Sequence, residues 1–123
     1  MASFEELKVY QEARGFRKVV SSLSKSFPAE EKYRLVDQII RSSRSVSVQI
    51  AEGYGRFHYQ ESIQYMRVAR GSLDETHEHI NVAFDEGYID DEMRSELLDQ
   101  KLKIMRMING YNNYLKKSKR KEK

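Results

Sequence analysis

The sequence predicts an all-α protein, an antiparallel up-down-up-down four-helix bundle, and three observations predict it. Apolar residues recur at steps of three and four along most of the chain, the period of one helical face. One proline and six glycines in 123 residues leave few places for turns, so the elements are few and long. Hydrophobic residues make up 39% and charged residues 33%, a balance that suits thin amphipathic helices with wide solvated faces. A chain of this length holds one core. Residues 1–115 are expected to form it, with 116–123 as a basic C-terminal tail.

The first helix is announced by Ser3 and Glu6, which have the spacing of a capping box. Val9, Ala13, Phe16, Val20, Leu23 and Phe27 then follow on one face, with Gly15 tolerated inside the run. Pro28 ends it and favours a new start, where Glu30 and Glu31 suit the positive end of a helix dipole. The second helix carries Leu35, Ile39, Ser43, Val46 and Ile50 and stops near Gly53-Tyr54-Gly55. The third runs from about His58 to Glu86, with Ile63, Met66, Leu73, Ile80 and Phe84 inward, and ends at Gly87. Asp90 caps the fourth, which carries Leu98, Leu102, Met105, Ile108 and Leu115. Near-equal lengths and short connections make neighbouring helices run antiparallel.

Several classes of function are excluded or disfavoured at once. Without cysteine there are no disulfides, thiolate metal sites or cysteine nucleophiles. No stretch approaches the roughly 20 apolar residues that span a bilayer. The first residues lack the basic and apolar regions of a signal peptide, so a cytoplasmic location is expected. His77 and His79 are two apart and point to different sides of a helix. Asp74 and His77 have the carboxylate-x-x-histidine spacing of di-iron bundles, but no second copy accompanies them. No metal, cofactor or small-molecule substrate is therefore expected.

The net charge of +3 conceals segregation. Residues 32–72 carry a net +4, 73–99 a net −9 and 116–123 a net +5. Threaded onto the bundle, the acidic stretch gathers at one pole. The loop between helices two and three meets the chain termini at the other, which is basic. That pole also holds Tyr54, Arg56, Phe57, His58 and Tyr59. Cations pair with phosphates and exposed rings stack on unpaired bases. The expected nucleic-acid contacts are Tyr54, Arg56, His58, Lys116, Lys117, Lys119, Arg120 and Lys121.

Arg41, Ser45, Gln49, Glu52 and Arg56 form a polar stripe on helix two, with small residues beside it. The structural expectation is a network of Arg41, Ser45, Glu52 and Arg70 where helices two and three pack closely. The alternative makes Glu52 a catalytic carboxylate, but no nucleophile or partner base accompanies it. Ile104, Met107, Tyr111 and Tyr114 on helix four, and Val36, Ile40 and Val48 on helix two, extend beyond one core stripe. Rows of this kind face another subunit, so a homo-oligomer is expected.

Several segments carry a family resemblance over nearly the whole chain. They are Leu7-Lys8-Val9-Tyr10-Gln11-Glu12-Ala13, Phe27-Pro28 with Glu31, and Gln38-Ile39-Ile40-Arg41. The most specific are Ile50-Ala51-Glu52-Gly53-Tyr54-Gly55-Arg56 and Ala69-Arg70-Gly71-Ser72-Leu73. The chain resembles the bacterial four-helix bundle proteins encoded in intervening sequences of 23S ribosomal RNA genes. Gln49 stands where that family usually has asparagine, and Ser47 near where it often has proline. The resemblance implies a four-helix bundle that assembles into a ring, a pentamer. Similarity to the accessory bundles of diversity-generating retroelements favours a nucleic-acid adaptor, with RNA the preferred partner. The competing expectation is an oligomeric protein-interaction scaffold that does not touch nucleic acid.

Overall fold

A computed structural model describes residues 3–122, with side chains from Ser3 to Ser118. Four α-helices account for it: α1 (Lys8–Ser24), α2 (Leu35–Tyr54), α3 (Tyr59–Asp85) and α4 (Asp91–Glu122). Short 3₁₀ turns at Phe4–Glu6 and Ala29–Glu31 precede α1 and α2.

Each helix packs on its chain neighbour, and α1 closes the bundle on α4. Cross-helix pairs fix the directions. Ser42 meets Thr76 while Ser45 meets Ser72, so α2 and α3 are antiparallel. His77 meets Lys101 while Asn81 meets Arg94, so α3 and α4 are antiparallel too. The up-down-up-down expectation holds.

The core is the inner stripe of every helix. Val9, Ala13, Phe16 and Val20 of α1 are buried, as are Leu35, Ile39, Val46 and Ile50 of α2. Met66, Ala69, Leu73, Ile80 and Ala83 of α3 join them. Fully burying one such large side chain is worth about 1.5–3 kcal/mol, so the stripes dominate the stability.

Three local expectations need correction. Ser3 accepts from the Glu5 amide at 3.0 Å and caps only the Phe4–Glu6 turn. Leu7 then turns extended (ψ 122°), and α1 begins at Lys8. The break lets Phe4 fold back edge-on against Tyr10, with ring centres 4.9 Å apart. After Pro28 only one 3₁₀ turn forms, and α2 starts at Leu35, where the buried stripe resumes. On α4 the inward row is Leu97, Lys101, Ile104, Ile108 and Asn112, whereas Leu102 is 47% exposed. The charged Lys101 interrupts the apolar signal and shifts the apparent face by about one residue.

The turns at the acidic pole are well closed. Gly87 takes the left-handed conformation (φ 78°), and the Tyr88 amide reaches back to the Ala83 carbonyl at 2.8 Å. With Gly87 N–H donating to Phe84 at 3.0 Å, this is a Schellman stop. Asp90 then caps α4 by accepting from the Met93 amide at 2.8 Å. The Tyr88 hydroxyl donates to Glu31 at 2.8 Å and ties the α3–α4 turn to the α1–α2 turn. That bond, ahead of burial, pushes the Tyr88 phenol up to about 12.

Candidate nucleic-acid interface

The opposite pole is built by the link between α2 and α3. Residues 55–58 form this link, and His58 enters α3 from an extended conformation. Phe57 lies in the link, where no core position faces it, and is 93% exposed. Its ring meets that of His58 edge-on, with centres 4.9 Å apart. The loop thus presents an apolar ring and an exposed imidazole to solvent.

The other expected contacts differ among themselves. Arg56 donates to Glu52 at 3.0 Å and to the Tyr65 hydroxyl, and its guanidinium lies 4.6 Å from the Tyr65 ring centre. It fastens the loop to α3, so its charge is already partly met. Tyr54 is half-buried and lies near Tyr111 of α4, which stacks on Tyr114 with ring centres 6.2 Å apart. Burial, then Tyr54 and Tyr114, raise the Tyr111 phenol above its ordinary value. Tyr54 is therefore packed into the bundle's end. Lys116 and Lys117 are exposed on α4 beyond Asn112, the last buried residue described. Lys119, Arg120 and Lys121 lie outside the described side chains; the α4 backbone continues through them to Glu122.

A larger basic feature escaped the sequence reading. Between α1 and α2 runs an open groove of about 810 Å³ lined by Arg17, Arg44 and Arg56, with Phe4 and Tyr10 along one side. A smaller hollow of about 190 Å³ shares Arg17 and Arg44 and adds Lys18 and Lys25. Glu52 is the carboxylate in the larger groove, and it is paired with Arg56. Neither Arg17 nor Arg44 has a described carboxylate within ion-pair distance. The arginines are far apart in sequence and meet only because α1 and α2 pack antiparallel. No local motif marks them.

The network expected of Arg41, Ser45, Glu52 and Arg70 does not form. Arg41 pairs along its own helix with Asp37 at 3.5 Å, Glu52 pairs with Arg56, and Arg70 is exposed. Hydroxyls take the contact instead. Ser72 Oγ donates to Ser45 Oγ at 2.9 Å, and Thr76 Oγ1 lies 2.8 Å from both Ser42 Oγ and the Ser72 carbonyl. The small side chains bring the helices close together, which leaves no room for guanidinium groups between them. Glu52 is an exposed partner of Arg56, and among the described residues no second carboxylate lines the groove with it.

The Asp74-x-x-His77 pair faces an ammonium group. Lys101, only 7% exposed, lies 2.9 Å from Asp74 Oδ1 and 3.3 Å from His77 Nδ1. Its stem packs in the core row while its head reaches these acceptors at the rim. Burial first, then Lys101 and Arg94, hold the His77 imidazole below its ordinary 6.5. A neutral ring protonated on Nε2 can accept from Lys101. Among the described residues no group of three or more histidines and carboxylates is placed to hold a metal ion. No described helix is long and apolar enough to cross a membrane.

The sequence matches the family described as 23S rRNA-intervening sequence protein over residues 5–110, which takes in α1, α2, α3 and the first two-thirds of α4. The chain belongs to that family. A solved structure shares the family's fold: a protein of unknown function from the S23 ribosomal protein family of Bacteroides thetaiotaomicron. It superposes with a TM-score of 0.78 at 20% identity, over 85% of this chain and 97% of that one. At that identity the likeness speaks for the fold alone. No curated protein matches. In this member of the intervening-sequence family, Gly53 lies buried against α3 at the end of the Ile50–Arg56 segment. Arg56 in turn holds the loop to Tyr65, so that segment builds the α2–α3 corner.

Proposed function

We propose that this member of the intervening-sequence family is a non-enzymatic nucleic-acid-binding bundle, with RNA the favoured partner, working in the cytoplasm. The observation that carries the reading is the pole where the exposed Phe57–His58 pair projects at the end from which the Lys116–Lys117 stretch of α4 emerges. Rings available for stacking beside cations available for phosphate are what unpaired RNA requires. Phe57, which was placed at this pole but not among the expected contacts, is its most exposed ring. Arg56 is reassigned to holding the loop. A filter-binding titration tests this. Binding to RNA is expected at low salt and should weaken steadily as salt rises, because each neutralised phosphate releases counterions. Lys116→Ala/Lys117→Ala should reduce the slope of that dependence. Absence of binding at low salt refutes the reading.

Homo-oligomerisation, as a ring of five in the form the family resemblance implies, accompanies this proposal on reduced grounds. Ile104 is wholly inside the bundle, and Val36, Ile40, Met107 and Tyr111 pack against the core. Apart from Phe57 in the loop, the large apolar side chains left exposed are Val19, Tyr33, Val48, Val68, Leu102 and Tyr114. Light scattering should report a multiple of 14.6 kDa, and a monomer at high concentration removes the claim.

A further inference from the structure

We propose that the groove between α1 and α2 is the track of a single-stranded nucleic-acid segment, with phosphates on Arg17 and Arg44 and a base against the Phe4–Tyr10 wall. The inference rests on the nucleic-acid reading and says where the strand lies and what kind of strand it is.

Charge is the first ground. Across the groove and the hollow that shares Arg17 and Arg44 with it, the described lining cations are Arg17, Lys18, Lys25, Arg44 and Arg56, against the one described carboxylate of Glu52. The Glu52–Arg56 pair cancels itself. What remains is a row of four cations, and Arg17 and Arg44 have no acidic partner among the described residues. Guanidinium forks match phosphate oxygens in a way that single ammonium groups do not. A row of such groups along a trough fits a repeating polyanion better than one isolated anion.

Shape is the second. About 810 Å³ falls in the range of roughly 300–1,000 Å³ typical of pockets that bury small ligands. The apolar part of the lining is the edge-on Phe4–Tyr10 pair with Val48 and Ala51. Such a wall is useful to a base only if the base is out of its helix. In a duplex the bases are stacked inside, and only the backbone would reach the arginines. The geometry therefore selects an unpaired strand.

Position is the third. Arg56 is at once a lining residue of the groove and the anchor of the loop that carries Phe57. A strand leaving the groove at that end comes directly to the exposed ring.

The test uses the full chain and fluorescently labelled ten-nucleotide oligo(U) and oligo(A), with a duplex of equal length. Anisotropy at low salt should show the single strands bound more tightly than the duplex. Arg17→Ala/Arg44→Ala should lose single-strand affinity about tenfold or more. It should also flatten the log–log salt dependence by about 1.4, since each phosphate contact on a single strand contributes about 0.7. Melting curves check that the variant is folded. Independently, a 4-thiouridine oligonucleotide crosslinked to the unmutated protein should label the segment 4–17. If the double variant binds like the parent, or crosslinks fall only at Phe57 and beyond Asn112, the groove is not the track, although nucleic-acid binding stands. Equal affinity for duplex and single strand overturns the single-strand assignment. If the parent binds no polynucleotide, this inference and the reading beneath it fall together.

Discussion

Replacing Gly53 with valine is expected to destabilise the bundle by about 3 kcal/mol or more, among the larger effects of any single substitution in this chain. A Cβ at Gly53 would stand 2.9 Å from Tyr65 Cβ, and 3.3 Å from both Met66 Cε and the Ser62 carbonyl. Two of those atoms are fixed to the α3 backbone or one bond from it, so the helices themselves would have to separate. Gly53→Ala should already cost about 1–3 kcal/mol through overpacking, although alanine gains about 1 kcal/mol in helix propensity. Gly15 is the control. It lies inside α1 with nothing within 4 Å of a built Cβ, so Gly15→Ala should stabilise by about 0.5–1 kcal/mol. Urea unfolding of the three variants gives the answer from shifts in midpoint at constant slope. Equal effects at positions 15 and 53 would mean that the α2–α3 approach is looser than 2.9 Å implies.

Removing the carboxylate of Asp74 is the second change expected to be severe. Lys101 retains 9% side-chain exposure and loses its 2.9 Å partner, which leaves an ammonium group held by His77 alone. Asp74 itself is 67% exposed, so water partly replaces it, and the cost is what the lysine, 9% exposed along its side chain, fails to regain. Asp74→Ala should lose about 1–3 kcal/mol, in the range of a charged hydrogen bond broken on one side. Lys101→Met keeps the stem's packing and removes the charge, so adding it to Asp74→Ala should restore most of the loss. Failure of that rescue, measured by melting, would show that Asp74 matters for some other reason. Acid should act on the same cluster with a definite sign. The folded His77 has its pKa held below the unfolded 6.5, so its contribution is complete above that value. As pH falls through 6.5 the unfolded chain takes up the proton first, and stability declines until the folded ring protonates. His77→Gln should remove that part of the acid limb.

How much of this was legible depended on whether a feature was written along one helix or between two. The stripe Leu35, Ile39, Ser43, Val46 and Ile50 was readable because its period is local, and all five residues are buried. The helix end at Asp85 followed from Gly87, whose left-handed backbone is a local property, whereas Gly53 and Gly55 keep ordinary backbone angles and Gly53 serves the contact with α3 instead. On α4 Ile108 is buried as expected, but the row before it was misread by one position because hydropathy counts Lys101 as an outward residue. Its charge is met by groups more than 20 residues away, which no window along the chain contains. Arg41, Glu52 and Arg70 share a plausible face, but opposite charges one turn apart satisfied two of them within α2 first. The groove was invisible for a related reason. Arg17 and Arg44 have unremarkable neighbours in sequence, and only the pairing of α1 with α2 makes them adjacent.

The hydrogen bond from Tyr88 to Glu31 has a mechanical consequence. It clasps together the two turns of one end, so the chain connections of all four helices are tied there. The seam between α1 and α4 is also the thinnest of the four helix pairings. Across that seam Lys103 of α4 pairs with Glu12 of α1 at 3.0 Å, so its closure rests on side chains and not on a chain connection.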